Sequence, residues 1–247
     1  MQRYFLDETP TGQQFKLPET VAHHFITVLR SREGAKAEFV LPNSQDVIIA
    51  EISELHDDYV LMTTISQQTL AVELPVDATI IIGLAKGDKS EFVVQKATEL
   101  GAHHIIIVET DWSVSHWGSK AAKKIARLNK IAVAAAEQSH RLRIPDVTYV
   151  PKLSRLSLPK EMIKIVAWEE SAKKGETGQL VQKLQALQPD DAICFLFGPE
   201  GGLAPSEIEY LLADGFVAAG LGPRILRAET APIYALSVLS YVMELNK

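Results

Sequence analysis

The sequence predicts an α/β protein in which a mainly parallel sheet, covered by helices on both faces, follows a smaller β-rich unit. Three observations lead there. From about residue 76, apolar runs of strand length alternate with helical stretches, as strands buried on both faces do. The first 72 residues instead show strand-like runs broken by turn residues, with one helical period among them. The two patterns meet between Ala71 and Pro75, where proline ends the strand pattern. The expected domains are 1–72 and 73–247, and a chain of 247 residues has room for both.

In chain order, AEFVLP, DVIIAEI and YVLMTTI are the strand candidates of the first unit, punctuated by Pro42-Asn43 and His56-Asp57-Asp58. Between Pro18 and Arg30, the residues Val21, Phe25, Val28 and Leu29 recur at helical spacing. A few strands and one helix suggest a small barrel-like module. In the second unit ATIIIGLA is the first strand and SEFVVQKATELG a helix that Gly101 ends. HHIIIVET is the next strand, with His103 and His104 expected toward solvent. A long helical pattern covers Lys120 to His140, and IKIVAWEE, AICFLFG and FVAAGLG add strands. Pro205 opens a helix behind Ala204, a cap without a side-chain oxygen. Thr230 is the expected cap of the last helix, with Pro232 in its first turn.

The composition, 47% hydrophobic and 23% charged, is that of an ordinary globular protein. A single cysteine, Cys194, excludes a disulfide framework. MQRYFLDETP lacks a leader pattern, and no apolar run reaches membrane-spanning length, so a cytoplasmic location is expected. The net charge of −6 hides a segregation. Lys120 to Arg143 carries seven Lys/Arg against Glu137 alone, a local +6, so the rest sums to −12. Such a stripe reads either as a localised phosphate contact or as a solvated helix face.

Two Gly-Pro turns follow the last strands: Gly198-Pro199-Glu200-Gly201-Gly202, and Gly222-Pro223-Arg224 with Arg227 and Glu229 behind. At the ends of neighbouring strands they can build a small-molecule site largely from main-chain groups. Neither is a dinucleotide fingerprint or a triphosphate loop, and GLAKGDKS follows the first strand. That speaks against NAD and ATP and for another adenine-containing ligand. The seven histidines lack metal-ligand spacing, and no nucleophile elbow is present, so no metal and no covalent hydrolysis are expected.

LGPRILRAETA behind GPEGGL, KGDKSEFVVQKATELG upstream, AAAEQSHRLRIP between, and the H-x-x-x-VLR of His24 to Arg30 together resemble one family over essentially the whole chain. It is the RsmE family of 16S ribosomal RNA uridine-N3 methyltransferases, part of the SPOUT superfamily. The resemblance implies a PUA-like RNA-binding barrel at the N-terminus and a trefoil-knotted methyltransferase domain behind it. It also implies S-adenosyl-L-methionine in the knot, a homodimer, and 16S rRNA of the small ribosomal subunit as partner. The implied cofactor neighbours are Leu196, Gly198, Pro199, Gly201, Leu221, Gly222, Ile225, Leu226, Thr230 and Ala231. The implied RNA contacts are Arg3, His24, Arg30 and Arg32 in the first unit, then Lys86, Lys89, Lys96, Lys123, Lys124, Arg127 and Arg143.

Methyl transfer from a sulfonium is an in-line displacement governed by positioning and charge placement, and uridine N3 must first lose its proton. Arg227 and Arg141 suit the anion and phosphate roles, while Glu200, Glu229 and Glu137 are candidate bases or orienters. Each glutamate also has a structural reading. Glu229 sits at a helix N-terminus, Glu200 can hold its own turn, and Glu137 can pair with Arg141 at i,i+4. The chain departs from the family pattern at Asp111-Trp112-Ser113-Val114, where Glu-Arg-Ser-Val is usual. An indole stacks on a base but does not clamp phosphate. Ala228 and Ala204 likewise replace the usual Thr and Ser. The alternatives to methylation of 16S rRNA are a different RNA substrate or a non-catalytic RNA-binding and ribosome-assembly role.

Overall fold

The computed structural model describes residues 1–170 and 178–246 and divides into two compact units. The first comprises Met1–Glu73 together with Ala136–Leu142. Its five strands are β1 (Gln2–Phe5), β2 (Gln14–Lys16), β3 (Lys36–Val40), β4 (Asp46–Leu55) and β5 (Val60–Thr69), in the order β1-β3-β4-β5-β2. β1 and β3 run parallel, and the other pairs are antiparallel. Alternate residues of β4 are buried, among them Ile48, Ala50 and Ile52, as one covered face requires. β1 and β2 are too short to stand out as strands in the sequence.

The helical period is realised differently from expectation. α1 (Glu19–His23) continues into a single π-helical turn, His24–Val28, closed by the Leu29 N–H donating to the His24 carbonyl. The wider turn rotates the following residues off the helical face. Phe25 remains buried, but Val28 is 62% and Leu29 37% exposed.

Residues 136–142 belong to this unit through a polar interior. The Arg3 guanidinium sits 2.8 Å from Glu38 and donates to the His140 carbonyl, while His140 Nδ1 lies 3.1 Å from the same carboxylate. The Arg141 guanidinium grips Glu73, whose other oxygen accepts the Leu142 N–H at 2.8 Å. Leu142 itself packs with Val40 and Val47.

The second unit holds a six-stranded sheet of β6 (Asp77–Gly83), β7 (His104–Val108), β8 (Asp146–Val150), β9 (Ile163–Ala167), β10 (Ala192–Phe197) and β11 (Val217–Ala219). The order is β11-β9-β10-β6-β7-β8, and every pairing is parallel. Among the described residues its α-helices are α2 (Lys89–Glu99), α3 (Ala121–Gln138), α4 (Gln179–Gln185), α5 (Pro205–Ala213) and α6 (Thr230–Ser240). β8 and α4 are elements the sequence reading does not mark. Ile80, Ile105, Ile165 and Phe195 belong to one apolar cluster with Val93, Val94, Ala235 and Leu236. Ile81, Val108, Val166 and Leu196 join another with Ile208, Leu211 and Phe216. Successive strand residues thus feed two cores, which is why these strands read as unbroken apolar runs.

Three local details differ from expectation. His103 is buried rather than solvent-facing, because its Nδ1 accepts the Ala78 N–H at 3.3 Å. Glu229, not Thr230, occupies the cap of α6, and no side chain caps it. Ala204 does precede α5, but Glu207 compensates in part by accepting the Ala204 N–H at 2.9 Å.

Candidate active site

β9, β10 and β11 are neighbours, and the loops leaving their carboxyl ends enclose a cavity of about 770 Å³. One wall is the turn Gly198–Gly202, which close backbone approaches define. A Cβ on Gly83, the last residue of β6, would lie 2.4 Å from Pro199 Cδ, and one on Gly198 would lie 2.8 Å from the Gly202 carbonyl carbon. No larger residue fits either position without moving the turn. The opposite wall is the loop Leu221–Ala228, and Phe197 and Ala231 supply apolar surface between them.

Charge enters from the N-terminus of α2. Lys89 Nζ reaches Glu200 at 3.0 Å and Glu229 at 3.3 Å. Glu200 also accepts the Lys86 N–H at 3.2 Å. Burial works to raise the Glu200 carboxyl, but its own N–H, the Lys89 ammonium and the Lys86 N–H outweigh it and hold the group below its ordinary value. Lys89 is raised in turn, chiefly by its hydrogen bond to Glu200. Glu229 Oε2 is buried within ion-pair range of Lys89 yet makes no hydrogen bond. Arg227 stands exposed at the rim, and its carbonyl accepts the N–H groups of Thr230 and Ala231 where α6 begins.

Residues 72–240 match the family model of the RNA methyltransferase domain. Ribosomal RNA small subunit methyltransferase E of Bacillus subtilis is 40% identical over 257 aligned positions, covering 99% of this chain and 98% of that one. The protein of the same name from Neisseria gonorrhoeae, crystallised bound to S-adenosyl methionine, matches with a TM-score of 0.83 and 29% identity over 98% of both chains. This chain belongs to the ribosomal RNA small subunit methyltransferase E family.

Within that family framework the expected cofactor neighbours fall largely together. Gly198, Pro199, Gly201, Leu221, Gly222, Ile225, Leu226 and Ala231 line the cavity. Leu196 does not; it is fully buried inside β10, between β9 and β6. Thr230 is an exposed first residue of α6, off the cavity wall. Of the candidate catalytic residues, Glu200 and Arg227 line the cavity, and Glu229 lies behind Lys89. Arg141 lies in the first unit, 3% exposed, on Glu73. Glu137 is in the first unit too, its carboxyl raised by burial.

The expected RNA contacts divide similarly. Arg3 is buried on Glu38, and His24 Nδ1 meets the Tyr4 hydroxyl at 2.9 Å. Arg30, Arg32, Lys86, Lys123, Lys124 and Arg143 are exposed, while Lys96 is paired with Glu99 at 2.8 Å and Arg127 with Glu91 at 2.7 Å. Lys89, grouped with the RNA contacts from sequence, instead organises the carboxylates of the cavity.

Beyond the glycine turns the sequence marks, Trp112, Trp168, Phe197 and Leu203 also line the cavity. Trp168 had a usable signal: it follows the strand run IKIVA, and ligands in parallel sheets gather at such strand ends. Trp112 is marked in the sequence only as a departure from the family pattern; its place on the cavity wall is not, because only the fold brings the end of β7 to the glycine turn.

Proposed function

We propose that this protein transfers a methyl group from S-adenosyl-L-methionine to N3 of a uridine in 16S rRNA of the small ribosomal subunit. The observation that carries it is the cavity walled by two main-chain turns, in a chain whose family relative binds S-adenosyl methionine. The residues present suit that group. A volume of about 770 Å³ lies in the range of small-molecule sites. Backbone walls at Gly198–Gly202 and Leu221–Leu226 offer N–H and C=O groups to a nucleoside, and the Glu200 carboxylate suits a cationic sulfonium. When bound, the cofactor supplies the electrophilic methyl.

The chain's own residues supply the rest. Arg227 is exposed and lines the cavity, which supports a role in which its guanidinium donates to a uracil carbonyl oxygen and lowers the cost of removing the N3 proton. Glu200, held below its ordinary range, is a poor proton acceptor and serves as an orienting anion fixed by Lys89. Glu229 holds Lys89 from the other side.

The first unit, with its mostly antiparallel sheet, is read as a PUA-like RNA-binding barrel. The second is read as a SPOUT domain with a trefoil knot, supported by the strand order in which β9 lies between β11 and β10. A homodimer is supported by the apolar exposure of Tyr234, Tyr241 and Leu245 along and beyond α6. The exposed cations of both units would track phosphates and make binding salt-sensitive.

The test is methyl transfer from labelled S-adenosyl-L-methionine to small subunits, deproteinised 16S rRNA and bulk tRNA from cells lacking the protein. N3-methyluridine in 16S rRNA is the expected product. Label in tRNA alone would move the substrate, and no label in any RNA would overturn the activity.

A further inference from the structure

Trp112 is the largest apolar group on the cavity that neither the fold nor the cofactor walls account for. It is 47% exposed although it lines the cavity. No aromatic ring among the described residues stacks on it, whereas Trp117, five positions on, is stacked on Tyr149 at 5.2 Å between centroids. Its exposed indole presents a large π face, with a polar N–H at its edge, on which a flat ring can stack.

Its mounting is rigid. The buried residues Thr110 and Ser113 close the turn that carries it: the Ser113 N–H donates to the Thr110 carbonyl, and the Thr110 N–H donates to Ser113 Oγ, both at 3.0 Å. The Asp111 N–H donates to Glu207 at 2.9 Å, and the second oxygen of that buried carboxylate accepts the Ala204 N–H. One side chain therefore ties the Trp112 turn to the segment leaving the glycine turn. The glycine turn flanks the indole from the other side, at ordinary contact distance. A Cβ on Gly201 would lie 3.4 Å from Trp112 Cβ, and one on Gly202 would lie 3.9 Å from the ring.

We infer that Trp112 is the platform on which the target pyrimidine stacks after it is turned out of the RNA strand. The inference rests on the methyltransferase reading above and adds a residue that selects the substrate. N3 lies on the Watson–Crick edge, so a paired uridine hides it, and a base turned out for chemistry needs a new stacking partner. A fixed indole provides one at little entropic cost, because its turn and its glycine bed are already ordered. Arg227, on the facing loop of the same cavity, addresses the carbonyl oxygens, whereas the indole addresses the π face. The two contacts are chemically distinct and separable.

Stacking one base on an aromatic side chain is worth roughly 5- to 150-fold in affinity. The experiment measures kcat/KM for small subunits and, separately, calorimetric affinity for S-adenosyl-L-methionine, in wild type, W112L and W112F. W112L keeps apolar bulk against Gly201 and Gly202 but removes the π face. It is expected to lose at least about 10-fold in kcat/KM for RNA, with cofactor affinity within about twofold. W112F is expected to recover to within about threefold of wild type. A second measurement does not depend on turnover: an rRNA fragment abasic at the methylated position should bind wild type about 10-fold more weakly than the intact fragment, and W112L no more weakly. W112L equal to wild type overturns the inference. So does a W112L that loses cofactor affinity, which would assign the indole to the adenosine. A wild type that methylates no RNA would sink the activity itself, an outcome distinct from either.

Discussion

In the first unit Arg3 and Arg141 are each 3% exposed, and Glu38 and Glu73 take up their guanidinium groups. In the second unit Arg224 and Arg227 stand exposed on a loop around a cavity, and neither forms an ion pair among the described residues. The same functional group thus does two jobs. Buried and enclosed by carboxylate and carbonyl oxygens, it holds chain segments distant in sequence; open at a cavity rim, it keeps its donors for a ligand. Breaking a buried pair by removing one partner typically costs about 3–5 kcal/mol. Arg141→Ala should therefore show a loss toward the lower end of that range in denaturant unfolding, since it removes the cation from a partly buried Glu73 that keeps its bond to the Leu142 N–H. Arg227→Ala should change stability by less than about 0.5 kcal/mol. It should instead lower kcat about 100-fold, as removal of one charge-stabilising donor does. An Arg141→Ala that unfolds like wild type while losing methylation would erase the contrast and return Arg141 to the reaction.

The glycines extend the comparison. In the first unit Gly34 has φ +82 with nothing within 4 Å of a built Cβ, whereas Gly198 in the second would drive a Cβ to 2.8 Å from the Gly202 backbone. Gly34→Ala pays only conformational strain, about 1 kcal/mol, and leaves the cavity untouched. Gly198→Ala must displace the turn, at about 1–3 kcal/mol, and distort the wall offered to the cofactor. Calorimetric titration of S-adenosyl-L-methionine separates them: at least a 10-fold loss for Gly198→Ala and none for Gly34→Ala. Equal affinities would mean that the turn is not a cofactor wall.

How far these features could be read in advance follows from their physical range. The parallel sheet was legible because runs such as Ile80–Ile82 and Phe195–Phe197 are apolar on both faces, a property local to each strand. The glycine turns were legible because Gly-Pro combinations restrict the backbone within a few residues. Three features were not. The π turn at His24–Val28 leaves no sequence period that distinguishes it from an ordinary helix. The placement of 136–142 depends on Arg3, Glu38 and Glu73, far away in the chain. The Lys89 contacts with Glu200 and Glu229 join loops behind β6, β10 and β11, so a cation beside a Lys-rich turn looked like a phosphate contact.

Two tyrosines sharpen the comparison at its smallest scale. Tyr4 in the first unit and Tyr149 in the second are both pushed up to about 12, in each case mainly by burial. The further causes differ. Tyr4 feels the charge of Glu137 and bonds to the His24 ring, whereas Tyr149 donates directly to the Glu109 carboxylate. A folded value above the unfolded 10 means that the unfolded chain releases the proton first. The stability from each tyrosine is therefore complete below about pH 10 and is lost as pH rises toward 12. Tyr149→Phe and Tyr4→Phe should each flatten this alkaline limb by up to about one proton per molecule. They should differ at neutral pH, where a bond to a charged acceptor is worth about 1.5–3 kcal/mol and an ordinary one about 0.5–1.5 kcal/mol. Tyr149→Phe should also move the acid limb. Burial tends to raise Glu109, but Tyr149, His116 and the Trp117 N–H together hold it below its ordinary value. Its contribution is present above about pH 4.5 and lost as pH falls through the lowered value, so removing the Tyr149 donor should shrink that loss. Tyr4→Phe should leave the acid limb as it is, and unfolding curves from pH 2 to 11 that showed the reverse assignment would separate Glu109 from Tyr149.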